Sequence, residues 1–454
     1  MNNLTLPQQI ERMDADRLRA YSQNLAFYGG AQWPGRTRRK ERRLTFNYAR
    51  SFVDKITSYL MADIGFSMDP VDPSDEAARR AEDAGRALAA VYRDNDLQQL
   101  DFDTELDAAV LGDGVYKVTW DAEEGRVRVS APDIQGIFVW WVGDDVNRVW
   151  RVASRYKLSA DEVALLYGIG PRASSSGNGR ADSTIVEVWT NDTFEIWIDN
   201  ARHQRRPNPY GFIPFIVFPN IREPKRFWGV SDVPAIMEPA RELNRAFSQL
   251  SMILELSGNP IAVLENIEDA QDITVQPGAV WEVPESSRAY LLDLLQGGGV
   301  RLHTEFIDLV YRALHDLSES PRPSFGDNAR GLSGVALDIE LNPLVQKVRR
   351  KRLIRTTVYE KRARMILRVL ERHGGRDFGP VRPRVLWGPI LPQDRSRLVQ
   401  DEETLVRSGI HSRRRAMSNL GVEDPERELT LVGEEAPTGP SSPAVRGDQH
   451  YPAL

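Results

Sequence analysis

Apolar positions along this chain change period three times, and each change marks a new region. Between 7 and 28, Ile10, Met13, Leu18, Tyr21 and Leu25 recur at helical spacing until Tyr28-Gly-Gly30 stops them. A second helical run spans 47–62, with Phe52, Ile56, Tyr59 and Leu60 apolar. Pro70-Val-Asp-Pro-Ser74 predicts a turn ending in an N-capping serine, and helices follow over 75–95 and 97–111. The period then drops to two. Tyr116, Val118 and Trp120 alternate with Lys117 and Thr119, and past Asp121–Gly125, Val127 and Val129 alternate with Arg126 and Arg128. That is the pattern of a half-buried hairpin. The unbroken apolar run 137–142 predicts a buried strand, with more strands at 149–156, 184–190, 194–199 and 213–218. The Ser- and Gly-rich stretch 170–182 predicts an exposed loop.

Helical spacing returns at Ser231. Ile236, Ala240, Leu243, Phe247, Leu250 and Leu254 step by four and three, a heptad-like stripe on a helix of ~40 Å that Gly258-Asn-Pro260 ends. Short strands are expected at 261–264 and 279–283, with a turn at Gln276-Pro-Gly278. Gly297-Gly-Gly299 opens the next helix, 300–318, where Leu302, Phe306, Leu309, Ala313 and Leu317 form one stripe. The pattern predicts a hairpin of two amphipathic helices with a small β-containing module at its tip. A Gly- and Pro-rich loop, 321–334, leads into a long basic helix over 335–372. Pro343 is tolerated only near that helix's start, or it kinks it. A β-like segment at 384–387 and two or three short helices over 393–430 follow. The Pro-, Ser- and Gly-rich tail from 433 is expected to be disordered. The fold class is α+β.

At 454 residues the chain is long enough for more than one domain. Its 59 Lys and Arg against 65 Asp and Glu leave a net charge of −6, which excludes a polycation. With no cysteine there is no disulfide framework and no thiolate metal site, which fits a reducing compartment. The opening residues do not read as a secretory signal, and no run approaches ~18 apolar residues, so no membrane span is expected. No P-loop and no nucleophile elbow is present, and the six histidines lack ligand spacing. Glu305/Asp308 and Asp316/Glu319 stand at i,i+3 spacing, as carboxylates of a nuclease or glycosidase would. The commoner origin of such pairs is a solvated helix face. No catalytic constellation and no cofactor is expected.

Charge is unevenly placed, and that says more than its sum. The helix before the 321–334 loop is acidic and the one after it strongly basic. Lys347, Arg349, Arg350, Lys351, Arg352 and Arg355 fall within three turns and surround the helix, with Lys361, Arg362, Arg364, Arg368 and Arg372 beyond them. Two readings stay open. These cations pair with acids such as Glu360, Glu371 or those of another subunit, or they bind phosphate. The loop itself offers Arg322, Ser324, Asn328 and Arg330 to a nucleic-acid backbone, with Phe325 as an apolar tip.

The order of segments resembles the portal proteins of tailed double-stranded DNA bacteriophages, of the siphovirus head portal type. Asn24-Leu-Ala-Phe-Tyr-Gly-Gly30, Leu44-Thr-Phe-Asn-Tyr48, Phe52-Val-Asp-Lys-Ile-Thr-Ser-Tyr-Leu60 and Leu111-Gly-Asp-Gly-Val-Tyr116 carry the likeness. So do Asn208-Pro-Tyr-Gly-Phe-Ile-Pro-Phe215, running into Gly229-Val-Ser-Asp232, and Leu332-Ser-Gly-Val-Ala-Leu337 with Pro343-Leu344. The similarity covers roughly 20–375, and order and spacing carry it together.

The resemblance implies a ring, twelve copies in the virion, at one capsid vertex, assembled in the host bacterial cytoplasm and without enzymatic activity. It implies a helical and β-rich wing (1–230), stem helices (231–257 and 300–318), a clip (258–299) and a tunnel loop (319–334). A long wing helix with its return strand (335–392), a crown (393–432) and the tail (433–454) complete the map. Implied partners are double-stranded DNA in the channel, the terminase large subunit, a head–tail connector, and major capsid and scaffolding proteins. Glu305, Asp308, Asp316 and Glu319 would repel phosphate if they face the lumen. The loop residues would touch DNA, and the basic helix would meet DNA or a neighbouring subunit. Deleting 321–334 is expected to leave assembly intact and impair packaging. The competing reading is a DNA-binding regulator or nucleoid protein using 393–421 as a helix-turn-helix, where Pro392 and Asp401-Glu-Glu403 fit poorly in a groove. A nuclease is the third.

Overall fold

The computed structural model describes residues 5–36, 42–169, 182–258, 261–266, 286–292, 299–327, 334–391, 395–422 and 425–435. The chain divides into two units, 1–390 and 391–454.

The larger unit opens with α1 (Leu6–Arg12) and α2 (Ala15–Tyr28), where one helix was expected. Asp14 breaks them, with φ 58° in the left-handed region. Next come α3 (Tyr48–Leu60), β1 (Ile64–Pro70), α4 (Asp75–Asp94) and α5 (Leu97–Leu111). Asn47 caps α3 by accepting from the Arg50 amide, and Ser74 caps α4 by accepting from that of Ala77. The hairpin is β2 (Asp113–Asp121) and β3 (Arg126–Ser130), with Val118 opposite Val129 and Trp120 opposite Val127. A meander follows: β4 (Ile137–Val142), β5 (Asp145–Leu158), α6 (Ala160–Tyr167), β6 (Ser183–Trp189), β7 (Thr193–Ile198) and β8 (Ala201–Pro207). Its five strands form one antiparallel sheet in chain order. β9 (Phe215–Pro219) joins β2 and β3 in a second sheet.

The helical hairpin is α7 (Pro234–Gly258) and α8 (Gly299–Ser318). Between them β10 (Ile261–Glu265) pairs antiparallel with β11 (Arg288–Leu292). The strand expected at 279–283 and the tail from 436 lie outside the described residues. The expected 335–372 helix is two: α9 (Gly334–Glu340) and α10 (Asn342–His373), with Pro343 in the first turn of α10, where a missing N–H does no harm. β12 (Val381–Trp387) closes the unit by pairing with β1, which no periodicity announced.

β4 is buried on both faces only along its first half, residues 137–139; Trp140 and Trp141 are half-buried and Val142 is exposed, so the apolar run does not mean a fully buried strand. Ile137 and Val139 face the main core, while Phe138 joins Ala153, Val186 and Val188 beneath Ile10 of α1. α10 threads the unit. Val358, Tyr359, Ile366 and Val369 enter the main core, and Leu344 and Val348 meet Ile56 and Leu60 of α3.

Two segments far apart in sequence meet where α5 hands over to β2. The Asp113 carboxylate accepts the Gly229 amide at 2.8 Å, and Ser231 Oγ donates to the Ala109 and Val110 carbonyls at the end of α5. Gly112, at φ +116°, and Gly229 allow this approach. A Cβ on Gly229 would lie 2.5 Å from Pro219 Cβ and 2.6 Å from the Gly112 oxygen.

The smaller unit holds α11 (Arg395–Arg407), α12 (Arg413–Asn419) and α13 (Pro425–Glu435). Glu402 of α11 binds His411 at 2.8 Å and the Asn419 side chain at 2.7 Å, and Arg414 pairs with Glu426. Among the described residues, no helix is long and apolar enough to cross a membrane.

Candidate functional site

The α7–α8 hairpin is rooted in the core and exposed toward its tip. On α7, Ile236, Ala240 and Leu243 are buried, whereas Met252 and Leu254 are exposed. On α8, Leu314 and Ser318 are buried near the C-terminal end. At about 100° per residue, α8 carries three faces roughly a third of a turn apart. Ile307, Val310 and Leu314 face the chain's own core. Leu302 (64% exposed), Phe306, Leu309 (62%) and Leu317 stand in the open. Arg301, Glu305, Asp308, Arg312 and Asp316 form the third face. The stripe read from the sequence is therefore the exposed one.

The carboxylates on that third face are largely paired. Arg301 meets Glu305 at 3.5 Å, and Arg312 and Arg322 both engage Asp308. Their hydrogen bonds hold the Asp308 carboxyl below its usual range. Glu319 takes Arg350 in a two-oxygen contact at 2.6 and 2.7 Å. Asp316 has no ion pair among the described residues. The face is charged in both signs rather than uniformly acidic.

The loop after α8 begins as an anchor. Arg322–Phe325 form a 3-10 turn. Arg322 pairs with Asp308 and lies 4.9 Å from the Tyr311 ring centre, and Ser324 is buried, donating to the Pro321 carbonyl. Phe325 packs edge-on to Phe52 at 4.8 Å and to His315 at 5.4 Å. The expected apolar tip is thus a root packed against α3 and α8. Asn328 and Arg330 lie outside the described residues.

The cations of α10 divide sharply. Lys347 and Lys351 both pair with Asp232, just before α7, and Lys347 also donates to the Ser318 carbonyl at the end of α8. The bases of α7 and α8 are thereby both clamped to one helix. Arg352 donates to the carbonyls of Tyr59, Leu60, Ala62 and Gly388. Arg355 makes a two-oxygen bond to Glu105 at 2.8 and 2.9 Å, and Arg362 engages Asp101 and Tyr92. Burial alone would raise the Asp232 carboxyl, but Lys351 and Lys347 hold it well below its usual range. Lys347, Lys351, Arg352 and Arg355 are therefore neither a DNA surface nor a subunit interface here. They lie inside the chain that carries them, because an unpaired buried charge is too costly to keep. Their partners are Asp232 and Glu105, not the Glu360 or Glu371 named from the sequence. Only Arg349 and Arg350 of that cluster are exposed.

The model of the phage portal protein family, SPP1 Gp6-like, matches residues 14–438, nearly the whole chain. The chain belongs to the phage portal protein family. No curated protein matches it. A portal protein is a structural component of the phage capsid, acting in DNA packaging as an oligomer of its own copies. The geometry fits a structural part: the buried Lys347, Lys351, Arg355 and Arg362 are matched to acids of the same subunit, and its junctions are closed by hydrogen bonds.

One junction of the portal subunit responds to pH. Burial pushes the Asp113 carboxyl up to about 6, against the pull of the Tyr21 hydroxyl and Gly229 amide that donate to it. A carboxyl raised on folding favours the state that holds the proton, so its stabilising contribution is full below pH ~4 and lost as pH rises through 6. Asp113→Asn removes this titration. The wild-type advantage over the variant should shrink by about 3 kcal/mol between pH 4 and 7, measured by urea unfolding at each pH. A pH-independent difference would show that Asp113 titrates as it does in the unfolded chain.

Proposed function

We propose that this portal subunit closes into a ring whose α7–α8 hairpins wall a passage for double-stranded DNA. The carrying observation is the second apolar face of α8. Leu302, Phe306, Leu309 and Leu317 stand exposed among the described residues, and a soluble helix rarely leaves such a stripe open. A neighbouring stem would cover it, and the charged face would then turn to the lumen. Asp308 takes two arginines, Arg312 and Arg322, which offsets Asp316, so this face is close to neutral. A near-neutral wall neither grips nor strongly repels phosphate, so a duplex passes without adhering. The β10–β11 ladder at the hairpin's tip is the platform for the packaging motor, the terminase, and later for the head–tail connector. The three-helix unit is the crown.

Native mass spectrometry with negative-stain imaging tests this. A closed annulus with a central hole is expected, of about twelve copies by the resemblance. Only single chains or pairs across a wide concentration range would overturn it.

The loop divides into two tests. Deleting 328–333 should leave the ring and its melting temperature unchanged and lower the DNA retained in filled heads severalfold. Deleting 321–326 removes the Arg322 and Phe325 anchors and should destabilise the subunit by about 2–4 kcal/mol, read as a lowered melting temperature. A deletion of all of 321–334, expected from the sequence to spare assembly, therefore mixes two effects. Equal melting temperatures for both deletions would show that the turn anchors nothing.

A further inference from the structure

A groove runs between the start of β5, β9 and the exposed side of α10. It comprises a recess of ≈ 460 Å³ adjoining one of ≈ 260 Å³, with Asn147, Val149, Val217, Phe227 and Lys361 common to both. The floor is apolar. The rim is cationic: Lys361, Arg364 and Arg368 are exposed on α10, and no carboxylate lines either recess. A void of ~150 Å³ already holds a benzene ring, so the larger recess has room for two leucine side chains.

The matching shape lies at the other end of β5. α6 follows that strand directly and is anchored through Ala160 and Val163. It exposes Leu165 at 84% and Leu166 at 62%, with Asp161 and Glu162 in its first turn. The groove's lining on β5 ends at Val152 and the strand at Leu158, so at least ~20 Å of strand separates groove from knob. A chain cannot fill its own groove across that span. A ring built of identical copies requires two different surfaces, set apart on each subunit, that meet head to tail.

We propose that α6 of one copy inserts Leu165 and Leu166 into the β5–β9–α10 groove of the next, with Asp161 and Glu162 facing the Lys361–Arg364–Arg368 rim. This contact rests on the ring reading and adds to it a second, outer seam separate from the stem. It also gives Lys361, Arg364 and Arg368, which have no ion pair among the described residues, an electrostatic task.

The lack of native cysteine makes the test clean. Leu165→Cys combined with Leu353→Cys, at the groove's exposed edge, should on mild oxidation give a ladder of crosslinked copies on a non-reducing gel. Each single variant should give none, because the two surfaces differ. Leu165→Glu/Leu166→Glu should raise the concentration needed for ring formation at least tenfold without changing the monomer's circular dichroism or melting temperature. Adding Lys361→Glu to that variant should weaken assembly further, and adding Leu353→Lys should recover part of it. If the wild type forms rings, the double cysteine variant stays uncrosslinked and the glutamate variant assembles normally, then this seam is wrong and the ring stands. If the wild type forms no ring at any concentration, the ring reading fails, and this seam with it.

Discussion

Replacing Arg355 with methionine is expected to destabilise the larger unit by about 3–5 kcal/mol. Arg355 is fully buried, and every arm of its guanidinium is in use. Nε reaches both Glu105 oxygens, Nη1 donates to the Pro219 and Asn220 carbonyls at 2.9 and 2.7 Å, and Nη2 reaches the Asn220 side chain at 3.2 Å. Methionine fills part of the space and leaves the Glu105 charge with only the Tyr359 hydroxyl, 3.2 Å away. An uncompensated buried carboxylate costs about 3–5 kcal/mol, out of a typical total of only ~5–15. Urea unfolding gives the number. Arg86→Met, which removes an exposed pair with Glu82, should cost less than ~1 kcal/mol in the same assay. Adding Glu105→Leu to Arg355→Met should recover only part of the loss, because the Pro219 and Asn220 carbonyls still lack their donor. Wild-type stability for Arg355→Met would mean the pair is not closed in solution.

The same helix shows where the sequence was legible and where it was not. Alternation located the β2–β3 hairpin and an unbroken apolar run located β4 nearly to the residue, and the Ser74 cap marked the start of α4. Those signals are local, and local chemistry decides them. β1 and β12 pair across more than three hundred residues, and only the 384–387 part of β12 is legible as β-like, while β1 does not alternate cleanly enough to announce itself. α6 was read as a gap between strands, although Ser159 and Glu162 form a capping box that marks its start. The stripes of α7 and α8 were read correctly as apolar, but periodicity alone cannot tell which of two apolar faces is covered by the chain itself.

The basic helix misled for a clearer reason. On a helical wheel Lys351, Arg355 and Arg362 fall in the middle of the Leu344, Val348, Val358, Tyr359, Ile366 stripe, not opposite it. Cations in phase with an apolar stripe are core residues awaiting buried acids. Cations out of phase, such as Arg350, Arg364 and Arg368, are surface. Treating all of them as one cluster hid that division. Their partners Asp101, Glu105 and Asp232 stand more than a hundred residues upstream, and only Asp232 lay in a motif the sequence singled out. The clamp they form ties α10 to the bases of α7 and α8, so a displacement of the hairpin would be felt in α10 through Asp232 and Ser318.

Rings should disappear from the Leu309→Asp variant while its subunits remain folded. Leu309 is exposed in the single chain, so nothing in the fold depends on it, and its melting temperature as a monomer should move by less than about 0.5 kcal/mol equivalent. In the ring the side chain would be buried against the next stem. Burying a leucine contributes about 1.5–3 kcal/mol, and an aspartate in its place adds the cost of drying a charge without a partner. A loss of ~4 kcal/mol at each seam weakens every subunit–subunit step about a thousandfold. Because closure needs all seams at once, partial rings would be rare, and native mass spectrometry should report single chains where the wild type reports an annulus. Phe306→Asp, on the same face, should behave alike, whereas Glu305→Gln, on the charged face, should assemble normally and alter only how DNA moves through. Intact rings in Leu309→Asp would place this apolar face against something other than a neighbouring stem, and rings lost in Glu305→Gln would turn the helix the other way about.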